Sequence, residues 1–226
     1  MFEHELKNAY IGEYGWKPWA NTVAYYPLNS STTVNDQSGN NRNLTNHSVS
    51  FNTYDGVDCA YFNWSSQYLD ETTINWGLIN WNLTISFWCK VTAWALNSIW
   101  YWKPYNWTLV LYNNLTSIYC DTSNNNNNTT HTTFSTSSLN VWNLITITWT
   151  WNTYTVYSNW TLSWSMTTSI PTSWNSHFYL WCVGNDVDWL RAYMTWHLSN
   201  YIIENKVWTA DEILDYYNQT KSTYGL

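Results

Sequence analysis

Between Thr22 and Glu204 the chain is dominated by short segments in which apolar and polar residues alternate with a period of two. In Leu83–Cys89, the residues Leu83, Ile85, Phe87 and Cys89 alternate with Thr84, Ser86 and Trp88, as expected of a strand with one face on a core. Thr22–Pro27, Leu109–Tyr112 and Trp142–Thr150 are equally clear, and Tyr154–Ser158, Phe178–Leu180 and Tyr193–Ile203 are further strand candidates. Turn clusters such as Asn35–Asn41 (NDQSGNN) lie between them. Many short strands with regular turns predict an all-β sandwich or jelly roll. The Asn124–Asn128 run, set in the polar stretch Asp121–Thr133, reads as a low-complexity loop.

One segment breaks the period. Thr209-Ala210-Asp211-Glu212 has the capping-box spacing, in which Thr209 accepts from the Glu212 N–H and Glu212 reaches back. Ile213, Leu214, Tyr216 and Tyr217 follow as an apolar stripe, so a helix is predicted near Asp211–Gln219, sealing one edge of the sandwich. The chain has 226 residues, enough for one domain with a single core. The predicted division is an N-terminal extension, 1–21, and one domain, 22–226. A net charge of −7 disfavours tracking of nucleic-acid phosphates. No run approaches the ~18 apolar residues of a membrane span. The opening MFEHELKNAY has no apolar core of a signal peptide. Cys59, Cys89, Cys120 and Cys182 have no metal-ligand spacing and read as reduced, half-buried thiols, although four cysteines allow three pairings.

Several segments, taken together and in order, resemble the laminin-G-like group of the concanavalin A-like lectin/glucanase superfamily. Val23-Ala24-Tyr25-Tyr26-Pro27-Leu28 followed by Asn35-Asp36-Gln37-Ser38-Gly39-Asn40 is similar to that family's first strand and its D-x-S-G-N turn. Leu83-Thr84-Ile85-Ser86-Phe87-Trp88 and Trp142-Asn143-Leu144-Ile145-Thr146-Ile147-Thr148 resemble its F-T-I-S-F-W and W-H-H-V-A-V-T strands. Tyr157–Leu162 resembles Y-V-N-G-x-L except at Trp160, and Ile203–Ile213 resembles the closing x-Y-N-R-A-L-T-x-E-E-I. The likeness runs from about Thr22 to Gln219. It implies a two-sheet antiparallel jelly roll, usually a binding module.

The glycan hydrolases of that superfamily carry a close carboxylate cluster, E-x-D-x-x-E, on one strand. Retaining hydrolysis needs two carboxyl groups about 5–5.5 Å apart. Here Glu204 stands alone, and Asp186 with Asp188 have no Glu beside them. None of the five histidines has ligand spacing or a nucleophile neighbour. The chain is therefore expected not to be an enzyme. Calcium is the cofactor the resemblance raises, with Asp36 and the Asp55/Asp58 loop as oxygen ligands; Asp36 and Gly39 equally suit a type I turn without an ion. Trp100–Trp107 (WYWKPYNW) is compatible with an aromatic platform for sugar. It is also compatible with a strand, a turn at Pro104 and core packing. Tyr101 and Tyr105 are its carbohydrate-binding candidates.

The fold normally works outside cells, and Leu6–Glu13 resembles a lead-in segment of phage structural proteins. The predicted location is extracellular or on a virion surface, without a signal peptide on this chain. The predicted partners are a glycan or cell-surface polysaccharide and other virion proteins, with no nucleic acid and no membrane. The alternative is a structural or protein-interaction jelly roll without a sugar site. The composition carries one oddity: 20 tryptophans against 7 glycines. Trp64, Trp151, Trp160, Trp181 and Trp196 fall where the family pattern has glycine. A gene that reads UGA as glycine, translated as though UGA were Trp, would produce this. Moving about ten tryptophans to glycine would bring glycine near its average share of about 7%.

Overall fold

A computed structural model describes residues 19–63, 67–71, 82–92, 97–102, 107–113, 118–124, 129–134, 140–150, 153–167, 178–180 and 196–226. Fifteen strands and one α-helix lie among them. The strands are β1 (Thr22–Tyr26), β2 (Thr45–His47), β3 (Ser50–Tyr54), β4 (Val57–Phe62), β5 (Tyr68–Glu71), β6 (Asn82–Val91), β7 (Asn97–Trp102) and β8 (Trp107–Asn113). They continue with β9 (Ile118–Asn124), β10 (Thr129–Phe134), β11 (Asn143–Thr150), β12 (Thr153–Ser158), β13 (Thr161–Thr167), β14 (Phe178–Leu180) and β15 (Trp196–Glu204). The helix is α1 (Ala210–Thr220).

Two antiparallel sheets result. The eight-stranded sheet runs β13-β12-β11-β6-β15-β4-β3, with β1 also paired to β15. The seven-stranded sheet runs β10-β9-β8-β7-β14-β5-β2. Strand β15 makes the first sheet possible. One of its edges pairs with β6, while on the other β4 takes Trp196–Leu198 and β1 takes Tyr201–Glu204. The handover falls at Asn200, whose φ of 51° and break in the β6 register mark a bulge. The Asn200 side chain is fixed from both sides: it accepts from the Tyr25 hydroxyl (2.9 Å) and donates to the Tyr224 oxygen (2.6 Å).

The alternation in β6 sorts its residues onto two layers. Leu83, Ile85, Phe87, Cys89 and Val91 enter the main core, which also holds Leu69 of β5 and so lies towards the seven-stranded sheet. Thr84, Ser86, Trp88 and Lys90 between them are buried as well, and α1 lies across this other face at Trp88. There Trp88, Leu144 and Ile202 pack against Ile213, Tyr216, Tyr217 and Tyr224. Trp88 stacks on Tyr224 with ring centroids 4.0 Å apart and donates its indole N–H to Thr220 Oγ1 at 3.2 Å. The helix thus covers a sheet face rather than sealing an edge. Its capping box is formed as predicted: Glu212 N–H donates to Thr209 Oγ1 (3.2 Å) and Thr209 N–H to Glu212 Oε2 (2.8 Å).

The strands predicted from alternation are present across the described residues; of Tyr193–Ile203, residues 193–195 lie outside them. The polar stretch around the Asn124–Asn128 run holds two strands that alternation does not predict: Ile118–Asn124 and Thr129–Phe134 pair as neighbours, from Ser123 opposite Thr129 to Ile118 opposite Phe134, and residues 125–128 of the run lie outside the described residues. Their polar Thr, Ser and Asn residues hid them, since these strands end a sheet and make no apolar stripe. Cys59 and Cys89 are free and fully buried, in the outer and inner layers respectively. Burial pushes the Cys59 thiol up to about 12. Trp19, at the end of the expected extension, packs on Trp208 at 5.1 Å.

If α1 is held by the aromatic layer, Trp88→Ala should cost about 3–5 kcal/mol in urea denaturation. Thr209→Ala, which removes only a cap, should cost about 1 kcal/mol. Equal losses from the two variants would contradict the assignment of Trp88 as the anchor.

Candidate functional site

With α1 across the outer face of the eight-stranded sheet, the outer face of the seven-stranded sheet is the one that concerns a ligand. In β5, Leu69 is fully buried in the core, so Tyr68 and Asp70 lie on the opposite face. Strand β2 sets His47 directly opposite Tyr68. The two rings stack at 4.0 Å and 11°, and His47 Nε2 lies 2.9 Å from Asp70 Oδ1. The His47 side chain is 37% exposed. An imidazole held flat on a phenol and against a carboxylate is a preformed arrangement of hydrogen-bonding edges beside an aromatic face.

The register extends this group across the sheet. Asp70 is paired with Tyr179, Tyr179 with Tyr101, and Tyr101 with Val110. Val110 is in turn paired with Asp121, and Asp121 with His131. Directly paired residues of antiparallel strands share a face. Positions 179 and 101 are therefore neighbours on adjacent strands, about 4.8 Å apart, with an acid at position 70 on one side and Asp121 and His131 beyond. Two tyrosine positions flanked by carboxylate and imidazole positions suit a sugar, whose apolar ring face stacks while its hydroxyls take polar partners.

Tyr101 thus falls in the row, whereas Tyr105 lies outside the described residues. The row's other members were not found from sequence. Tyr68-Leu69-Asp70 carries the alternation that could have marked β5, but the pairing to Tyr179 is visible only in the register. The acids expected as calcium ligands are not brought together. Asp36 accepts four hydrogen bonds from its own surroundings: Tyr25 N–H (3.0 Å), Ser38 N–H (2.8 Å), Ser38 Oγ–H (2.8 Å) and Arg42 N–H (3.1 Å). Asp55 opens the β3–β4 turn and pairs with Lys90, and Asp58 accepts from the Thr53 hydroxyl. Among the described residues no three His, Cys, Asp or Glu side chains gather as a metal site. Asp186 and Asp188 lie outside the described residues.

Burial also shifts an imidazole and a carboxyl group of the eight-stranded sheet. His197 is stacked under Tyr54 at 4.0 Å. Burial first, and then the Lys90 charge, lower its pKa to about 4. Glu204, also fully buried, accepts from the Thr22 hydroxyl at 2.5 Å. Burial raises its pKa to about 7, against the opposing effects of Thr22 and Lys206.

No protein-family pattern matches the chain, and no curated protein is significantly similar to it. Solved structures do match. The binding domain of Paraclostridial Mosquitocidal Protein 1 superposes with a TM-score of 0.70 at 18% identity, over 88% of this chain and 52% of that one. The receptor binding domain of botulinum neurotoxin D gives 0.71 at 16%, over 88% and 52%. A structure of botulinum neurotoxin type C gives 0.68 at 16%, over 88% and 51%. These likenesses show a shared fold, and the chain spans about half the length of those it matches.

The two buried titrations carry opposite signs. Glu204 binds its proton more tightly when folded, so its contribution is full below about 4.5 and is lost as pH rises through about 7. His197 holds its proton less tightly when folded, so its contribution is full above about 6.5 and is lost as pH falls towards about 4. Between about pH 4.5 and 6.5 the two slopes, each up to about 1.4 kcal/mol per pH unit, largely cancel. Denaturation of Glu204→Gln should show stability rising with pH across this window, and His197→Phe the reverse. Parallel profiles for both variants would refute the sign assignment.

Proposed function

We propose that the chain is a non-catalytic carbohydrate-binding module, a laminin-G-like jelly roll of the concanavalin A-like superfamily, displayed outside cells on a phage fibre or other virion surface. The observation that carries the reading is the row from Asp70 through Tyr179 and Tyr101, beside the stacked His47–Tyr68 pair. The pairing sets two tyrosine positions beside Asp70 on the sheet face that α1 does not cover. The shared fold adds support, since the cell entry of botulinum neurotoxin type C is dependent upon interaction with two ganglioside molecules. The order of the sequence motifs supports the family assignment. The absence of an E-x-D-x-x-E strand in the sequence argues against hydrolysis.

The test is a glycan array followed by calorimetry on the best ligand. Asp70→Ala and Tyr101→Ala should each weaken binding about tenfold or more, equivalent to about 1.4 kcal/mol. Lys221→Ala, on the helix side, should leave it unchanged. Because Asp36 already accepts four donors, affinity should be the same in calcium and in chelator. An empty array together with capture of a virion protein would favour the protein-interaction alternative. Release of reducing sugar from a bound glycan would overturn the non-enzymatic reading.

A further inference from the structure

We infer that positions 151 and 160 are glycine in the native protein, encoded by UGA in a source that reads this codon as glycine. The argument starts from three tight turns. In the described sheets, Tyr54 pairs with Val57, Thr150 with Thr153, and Ser158 with Thr161. Each pairing leaves two residues for the loop: Asp55-Gly56, Trp151-Asn152 and Asn159-Trp160. Two-residue hairpins favour turns that need positive φ at one or both positions, which is why Asn-Gly, Asp-Gly and Gly-Asn dominate them.

The first turn meets the requirement. Asp55 and Gly56 have φ of 51° and 79°, and the β3–β4 ladder keeps its register throughout. The third begins the same way and then departs from that geometry. Asn159 has φ of 52°, but Trp160 is not among the residues with positive φ. Trp160 N–H donates instead to the Ser158 carbonyl at 3.2 Å, and the β12–β13 ladder slips register between Val156 and Tyr157. A left-handed backbone under a bulky side chain is strained. The same kind of loop closes at glycine 56 and is distorted at tryptophan 160.

Burial separates the tryptophans in the same way. Trp88, Trp142, Trp149 and Trp208 are each at most 3% exposed and sit in the core layers. Trp160 is 45% exposed at a hairpin tip, with its ring 4.5 Å from Tyr217. Reading glycine at the two turn positions gives Gly-Asn at 151–152 and Asn-Gly at 159–160, both preferred hairpin pairs. It also moves the 20 Trp and 7 Gly towards ordinary usage. Trp196 is different: it opens β15 opposite Phe62 and Val91, so no turn asks for glycine there. Trp64, Trp151 and Trp181 lie outside the described residues. Position 160 carries the inference by its own geometry, and position 151 joins it through the Thr150–Thr153 pairing that brackets it.

The gene supplies the direct test, with the core tryptophans as internal controls. UGA at 151 and 160, with UGG at 88, 142, 149 and 208, is the expected result. UGG at 151 or at 160 overturns the inference. Peptide mass spectrometry of protein from the native source should read glycine at both turn positions, and tryptophan at either overturns it. The strain argument is tested separately on recombinant Trp160→Gly and Trp160→Ala. Both lose the Tyr217 contact, but only glycine frees φ. The glycine variant should melt about 2–4 °C above the alanine variant; equal melting temperatures would overturn the claim that this turn requires glycine.

Discussion

Strand β6 has no face left for water, and the rest of the fold follows from that constraint. From Leu83 to Val91 its odd-numbered residues fill the space between the sheets, while on the other face Trp88 lies under α1, Thr84 under the Lys206–Trp208 segment and Lys90 against the β3–β4 hairpin. Every polar group on it must then find a partner inside the protein. Thr84 Oγ1 donates to the Lys206 carbonyl (2.6 Å) and accepts from Trp208 N–H (2.9 Å). Ser86 bonds to Thr146 (2.8 Å), and Lys90 pairs with Asp55 while lying 4.9 Å from the Tyr54 ring centroid. The dependence runs both ways. An eleven-residue helix is too short to hold alone in water, so α1 exists because the aromatic layer on the sheet receives it.

That arrangement explains what could be read from sequence. β1, β6, β11 and β12 were legible because alternation survives wherever one face meets a core. The helix was legible from the Thr209–Glu212 capping box and the apolar stripe that follows it. Its place over the sheet was not, although Trp88 at an outward position of β6 was the clue, since an indole there needs a cover. β9 and β10 were missed for the opposite reason: Thr, Ser and Asn strands at the end of a sheet are specified by pairing rather than by an apolar stripe. The site divides similarly. Tyr101 stood out as an aromatic in an aromatic run, but Asp70 and Tyr179 join it only through register between strands far apart in the chain.

The two sheets consequently have different duties. The outer face of one is committed to α1 and holds the buried His197 and Glu204, whose charges are suppressed by the packing that makes the sheet stable. The outer face of the other carries groups that remain usable, with His47 partly exposed and held by Asp70. The two faces cannot exchange roles: a surface saturated with mutual aromatic contacts has no free ring to offer a ligand. Under the proposed carbohydrate reading, binding and stability fall on separate sheets of the same sandwich.

Backbone handedness shows how strictly the chain is constrained at its turns. Left-handed φ occurs at Asn41, Asn140, Asn159, Asn200, Asp55 and Ser48, residues with short polar side chains. Asn159 illustrates the mechanism, since its Oδ1 accepts from Leu144 N–H at 2.9 Å and anchors the hairpin to the neighbouring strand. Leu28 is the exception, at φ 57°, and it is fully buried in the main core. An apolar residue can hold a left-handed backbone when burial of roughly 1.5–3 kcal/mol offsets a strain of about 1–2 kcal/mol. Trp160 has neither resource: no local polar atom to fold back on the turn, and no core to enter. Position 160 therefore takes a compromise geometry that neither Asn159 before it nor Gly56 in the sister hairpin needs, and glycine is the residue that would remove the conflict.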